Sequence, residues 1–129
     1  MELADLLDRL RAMLVQGIGA GKHVEASLEH VSLEGNRATA LALVFSELLQ
    51  NALEHGGDDV RIELGRRNGD VVLSIADSGT GAAEPGAGTG LSIVQALVTS
   101  ELQGSIEMRD DGGTSVRVRV PVEMPRVEL

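Results

Sequence analysis

The chain of 129 residues contains no cysteine, tryptophan or tyrosine, and its one aromatic side chain is Phe45. Without thiols there are neither disulfides nor thiolate metal sites, and a reducing, cytoplasmic compartment is expected. With a single aromatic residue, stacking on a base or a sugar is no basis for recognition. No apolar run approaches the ~18 residues of a spanning helix, so no membrane is expected. Met1-Glu2-Leu3-Ala4-Asp5-Leu6-Leu7-Asp8-Arg9-Leu10 reads as an acidic amphipathic helix, not a signal peptide. Basic residues are also few: eleven against twenty acidic, a net charge of −9 that would repel nucleic acid. A polyanionic ligand would need a divalent metal and local dipoles to draw it in. Lys22 is the only lysine.

What is present has the length of one domain with a core of its own. Residues 2–16 carry Leu3, Leu6, Leu7, Leu10, Met13 and Leu14 at helical spacing, and Gly17, Gly19 and Gly21 stop that helix. Val24, Ala26 and Leu28 alternate with polar residues as in a strand, which also takes in His23 and His30. The phase then shifts to Val31 and Leu33, as through a bulge. A long helix is predicted from Asn36, a candidate N-cap, to His55, with Gly56-Gly57 as its stop. Val60, Ile62 and Leu64, the turn Asn68-Gly69, and Val71, Leu73 and Ile75 form a hairpin. Residues 77–88 are glycine-rich and without pattern. Thr89 to Glu101 is helical again, and Ile106 and Met108 lead through Asp111-Gly112-Gly113 into Val116, Val118 and Val120. The order α-β-α-β-β-loop-α-β-β is not a strict βαβ alternation. It predicts an α+β fold, an open, largely antiparallel sheet with helices on one face. Residues 1–122 form the domain, and 123–129 are expected to be a frayed tail.

Glu47 and Asn51 lie four residues apart in the long helix, so their side chains stack on one face beside the stripe of Leu41, Phe45, Leu48 and Ala52. Buried there, an acid and an amide would need partners. Taken alone, such a pair is most simply a solvated stripe. The glycine motifs downstream change that reading. Asp77-Ser78-Gly79-Thr80-Gly81 ends a strand with a carboxylate, able to accept from an exocyclic amine, followed by glycines against which a base could lie flat. Gly86-Ala87-Gly88-Thr89-Gly90-Leu91 opens a helix, where backbone can approach phosphate closely and free N–H groups point at it. Two other motifs fail. Gly17 to Lys22 has three residues between its outer glycines rather than four, and His23 stands where a P-loop needs Ser or Thr. The run from Gly86 has Leu91 at the third glycine of a dinucleotide fingerprint and follows a loop rather than a strand.

Together the three blocks resemble the ATP-binding domain of the gyrase/Hsp90/histidine-kinase/mismatch-repair superfamily, the Bergerat fold. Glu47-Leu48-Leu49-Gln50-Asn51-Ala52-Leu53-Glu54-His55-Gly56 is similar to its first box, Asp77-x-Gly79-x-Gly81 to the second, and Gly88-Thr89-Gly90-Leu91 to the third. Gly104 to Met108 and Gly113-Thr114 to Pro121 resemble the closing strands of sensor histidine kinases. The resemblance implies a two-layer α/β sandwich and binding of ATP with Mg²⁺. It implies Asn51 as the metal ligand and Glu47 at the metal's water shell or orienting the attacking group. Asp77 would take the adenine amine, with Gly79 and Gly81 shaping the base pocket. Gly88, Thr89, Gly90 and Leu91 would line the phosphates, with Thr114 and His55 as further contacts and 82–88 as the lid.

The sequence departs from the family in three places. Glu47 stands where many histidine kinases have Asn, Glu54 stands where a lysine is common, and the short lid has an acid but no Lys or Arg. The implied function is phosphoryl transfer to a histidine on a separate helical dimerisation module, and through it to a response regulator. No such module is recognisable before residue 36, so the chain is either an excised domain or a stand-alone relative. The alternatives are an anti-sigma-factor-type serine kinase, for which a Glu base makes sense, and a degenerate nucleotide-sensing module.

Overall fold

A computed structural model describes residues 1–19, 21–79, 89–110 and 113–122, without the side chains of 89–91 and 110. Eight elements follow one another: α1 (Leu3–Ile18), β1 (His23–Leu28), α2 (Gly35–His55), β2 (Asp59–Arg67), β3 (Asp70–Asp77), α3 (Thr89–Ser100), β4 (Ser105–Asp110) and β5 (Thr114–Pro121). The strands form one sheet in the order β1-β2-β3-β5-β4, with β1 parallel to β2 and every other pair antiparallel. This is the mixed, mostly antiparallel sheet of the expected α+β class.

Strand alternation decides which face the helices cover. Val60, Ile62 and Leu64 of β2, Val71, Leu73 and Ile75 of β3, and Val116, Val118 and Val120 of β5 are all buried. Their neighbours Arg61, Glu63, Arg117 and Arg119 are exposed on the other face. Against the apolar face lies α2, which buries Leu41, Val44, Phe45, Leu48, Leu49, Ala52 and Leu53. It packs between α1 and α3, so it is the central helix of its layer. Burying each large side chain contributes on the order of 1.5–3 kcal/mol, which makes α2 the element around which the domain condenses. The Asn68-Gly69 turn has φ of 53° and 83°, the left-handed pair that a two-residue hairpin requires.

Three local expectations are corrected. The N-cap of α2 is Glu34, which makes no side-chain capping bond, and Asn36 lies inside the helix. The buried Arg37 anchors the first turn instead, donating to the carbonyls of Val122 (2.9 Å), Leu102 (3.1 Å) and Pro121. Second, no bulge carries β1 on to Val31 and Leu33. The strand ends at Leu28, and the chain turns to meet residues 1–3, with Leu3 N–H donating to the Val31 carbonyl and Leu33 N–H to that of Met1. Both apolar residues are buried and belong to the main core. Third, His30 therefore lies outside the strand, exposed, with Nδ1 3.2 Å from Glu2 Oε1. Burial works against the Glu2 carboxylate, yet hydrogen bonds from the Asp5 amide and the His30 ring outweigh it and hold its pKa below the usual range.

Candidate active site

Three segments distant in sequence meet at one end of the sheet: the end of α2 with Gly56-Gly57, the end of β3 with Asp77-Ser78-Gly79, and the start of β5 with Gly113-Thr114. Asp77 is half-buried, the last residue of its strand, paired in register with Val60. Its Oδ1 accepts from Gly79 N–H at 2.8 Å and from Gly57 N–H at 3.4 Å. Both bonds use the same oxygen, which leaves Oδ2 without a hydrogen bond among the described residues.

Backbone crowds this carboxylate so closely that side chains are shut out. A Cβ on Gly56 would lie 2.6 Å from Asp77 Cγ, and one on Gly79 would lie 2.8 Å from Asp77 Oδ1. On Gly57 a Cβ would overlap Ser78 Oγ and stand 2.6 Å from Gly79 N. Gly113, at φ +150°, has its Cβ position against the Asp77 carbonyl oxygen. Ser78 fastens the corner to β2: its N–H donates to the Asp59 carbonyl at 3.0 Å, and its Oγ accepts from Asp59 N–H at 3.2 Å. Gly79 of the second block thus approaches the Asp77 carboxylate closely. Gly56 and Gly57, singled out only as a helix stop, prove to pack against the same corner.

Glu47 and Asn51 lie one turn apart on α2, on the flank of its buried stripe. Asn51 is exposed and Glu47 half-buried, because Phe45, Leu48, Leu49 and Ala52 fill the sheet-facing stripe and leave the pair on its flank. Neither makes a side-chain hydrogen bond to a described residue. His55 is exposed at the end of α2, its Nε2 3.7 Å from Glu54 Oε2. Thr114, half-buried, opens β5 one step beyond the Ser115–Ala76 pair, which sets it beside Asp77. Thr89, Gly90 and Leu91 form the first turn of α3. Gly81, Gly88 and the lid 82–88 lie outside the described residues. Among the described residues no cluster of three His, Asp or Glu side chains could hold a metal by itself. No helix among them is long and apolar enough to cross a membrane.

The failed P-loop segment has a different job. Lys22 Nζ donates to the carbonyls of Gly57 at 2.9 Å and Gly56 at 3.2 Å, holding the turn that follows α2. Sequence reasoning missed this contact, and nothing in the local pattern around Lys22 could have revealed a partner 35 residues away.

Residues 36–124 match the family of histidine kinase-, DNA gyrase B- and HSP90-like ATPases. The sensor histidine kinase PdtaS of Mycobacterium tuberculosis is 43% identical over 105 residues, covering 70% of this chain and 21% of its own length. The signal transduction histidine-protein kinase AfsQ2 of Streptomyces coelicolor is 29% identical over 115 residues, covering 71% of this chain and 21% of its own. The chain therefore spans about a fifth of the length of these relatives. Among solved structures, the histidine kinase domain of a blue-light activated histidine kinase from Erythrobacter litoralis EL346 aligns with a TM-score of 0.85 at 23% identity. That alignment covers 95% of this chain and 62% of the other. The mycobacterial sensor histidine kinase MprB gives a TM-score of 0.79 at 19% identity, with 94% and 95% covered. At such identities the structures speak for the fold alone, which is the expected two-layer arrangement. With the matched family model spanning most of the chain, the protein belongs to the histidine kinase-, gyrase B- and HSP90-like ATPase family, as a domain of the sensor histidine kinase type.

Proposed function

We propose that the chain binds ATP with its adenine at Asp77 and serves as the catalytic domain of a sensor histidine kinase. The observation that carries this reading is the corner itself: a carboxylate with one oxygen held by two backbone amides and the other available, walled by glycines. The glycines let the backbone of the three segments close up around the carboxylate, and the available oxygen suits an exocyclic amine. Guanine, which presents a carbonyl at that place, would leave the carboxylate facing another acceptor. The relatives that share 29–43% of aligned residues bear the names of histidine kinases, which favours a histidine over a serine acceptor.

The donors on α2 fit Mg²⁺ in the way such ions are commonly held. An amide oxygen at Asn51 and a carboxylate at Glu47, partly or fully exposed, suit a hard cation that keeps several waters and shares its remaining positions with phosphates. Bound there, the metal would neutralise charge on the transferred phosphoryl group, which this chain's few cations leave uncovered. Glu47 would orient the acceptor rather than deprotonate it, since a neutral imidazole already presents a lone pair. The acceptor histidine would belong to a separate helical dimerisation module, which passes the phosphoryl group to a response regulator.

Calorimetric titration tests the reading. Asp77→Asn should weaken ATP binding by about 1–3 kcal/mol, the scale of a charged hydrogen-bond partner, and the wild type should prefer ATP to GTP. Equal affinities for the two nucleotides would refute the adenine assignment. Asn51→Ala should make ATP affinity the same with Mg²⁺ and with EDTA; a wild type already indifferent to EDTA would refute the metal assignment.

A further inference from the structure

We infer that Lys22 is a positioning residue for the adenine corner, holding the Gly56–Gly57 turn so that Gly57 N–H stays aimed at Asp77. The inference rests on the nucleotide reading above and extends it to a residue outside the family's three boxes.

The turn is gripped from both sides. On its amide side, Gly57 N–H reaches Asp77 Oδ1 at 3.4 Å, and the Cα of Gly56 faces the Asp77 carboxyl closely. On its carbonyl side, Lys22 Nζ binds Gly57 O at 2.9 Å and Gly56 O at 3.2 Å. The backbone around the lysine is stitched to the same place, with Lys22 N–H donating to the Gly19 carbonyl and His23 N–H to the Asp58 carbonyl at 2.7 Å. The amide bond to Asp77 is long, so its geometry depends on what holds the turn from behind.

The ammonium is placed by the carbonyls rather than by a salt bridge. Asp58 is the nearest acid, but its Oδ1 is 3.8 Å away and its side chain is 92% exposed, whereas that of Lys22 is 20% exposed. The last carbonyls of a helix lack intrahelical partners and carry its negative end. The Lys22 ammonium stands at that end and takes up the two carbonyls just past it, of Gly56 and Gly57. Without it, carbonyls and the Asp58, Asp59 and Asp77 carboxylates would share this corner with no ammonium, and the turn could relax away from the strand end.

Lys22→Met and Lys22→Arg separate this role from plain stability. Calorimetry with Mg-ATP, Mg-GTP and adenosine should show K22M losing roughly tenfold in affinity for both ATP and adenosine, the scale of one misaligned charged hydrogen bond. GTP binding should barely change, so the ATP-to-GTP preference collapses. K22R, which keeps cationic donors at the turn, should restore it. In the ligand-free protein, Gly57 amide exchange should be faster in K22M. If K22M does not fold, Lys22→Gln, which keeps one donor, takes its place and should show the same loss of preference. An unchanged ATP-to-GTP ratio in a folded variant would overturn the inference while leaving the nucleotide reading intact. So would a loss confined to ATP and absent for adenosine, which would mark a charge effect on the phosphates. A wild type that binds no adenine nucleotide would instead remove the nucleotide reading itself, and this inference with it.

Discussion

In the proposed site the two carboxylate oxygens of Asp77 would have different tasks. One fixes the loop by accepting from Gly57 and Gly79, and a group so held cannot turn away when a base arrives. That division predicts an asymmetric response among the surrounding glycines. The backbone of Gly57 is not in the left-handed region, so the cost of a side chain there is spatial. A Cβ would meet Ser78 Oγ and stand 2.6 Å from both Gly79 N and the Ser78 carbonyl carbon, atoms that Asp59 holds in place. Gly57→Ala should therefore cost about 1–3 kcal/mol in urea unfolding, the range for overpacking, and abolish measurable ATP binding. A variant of wild-type stability and affinity would show that the corner is looser than these distances imply. Asp77 and Gly79 stood out in the sequence only through the ordered set of three blocks, since an acid and glycines at a strand end favour turns anyway. Lys22 and Gly57 did not, since their importance lies in contacts across 20 to 35 residues of chain.

At the scale of elements, α2 shows where pattern succeeds and where it misleads. Its apolar stripe named Leu41, Phe45, Leu48 and Ala52, and all four are buried. Its ends were harder. Asn36 has the chemistry of a cap, but the helix starts earlier because Arg37 fixes the first turn through the Val122, Leu102 and Pro121 carbonyls. Tertiary anchoring overrode a local preference worth about 1 kcal/mol. The same kind of long-range contact drew Val31 and Leu33 off the sheet toward residues 1–3. Arg37 thus joins the start of the central helix to the end of α3 and the end of β5. Arg37→Met keeps the apolar stem and removes the guanidinium, leaving three carbonyls without their donor, so it should destabilise the domain by about 3 kcal/mol. Urea unfolding measures this directly. A loss under ~0.5 kcal/mol, the range of ordinary surface substitutions, would mean that water replaces the guanidinium at no cost.

For the whole molecule, the decisive relation is between the site and the three histidines. Each ring sits beside a glutamate: His23 Nε2 is 3.2 Å from Glu25, His30 Nδ1 3.2 Å from Glu2, and His55 Nε2 3.7 Å from Glu54. His23 opens the edge strand and pairs with Asp59, with β2 between it and β3, which carries Asp77. His30 stands beyond the last residue of β1, near the start of α1. His55 ends α2, about 12 Å along the helix axis from Glu47 at 1.5 Å per residue. Phosphoryl transfer needs the acceptor nitrogen in line at roughly 3–3.5 Å from phosphorus, and none of these placements offers that approach to a nucleotide whose base lies at Asp77. The strand that holds His23 would have to come away from β2 to deliver it. Incubated with radiolabelled Mg-ATP, the chain should therefore acquire negligible label. Adding a helical phosphoacceptor dimer of the kind proposed above should give acid-labile label on that partner alone. Strong acid-labile labelling of the isolated chain, lost in His55→Gln, would place the γ-phosphate beside the end of α2 and overturn this arrangement of the site.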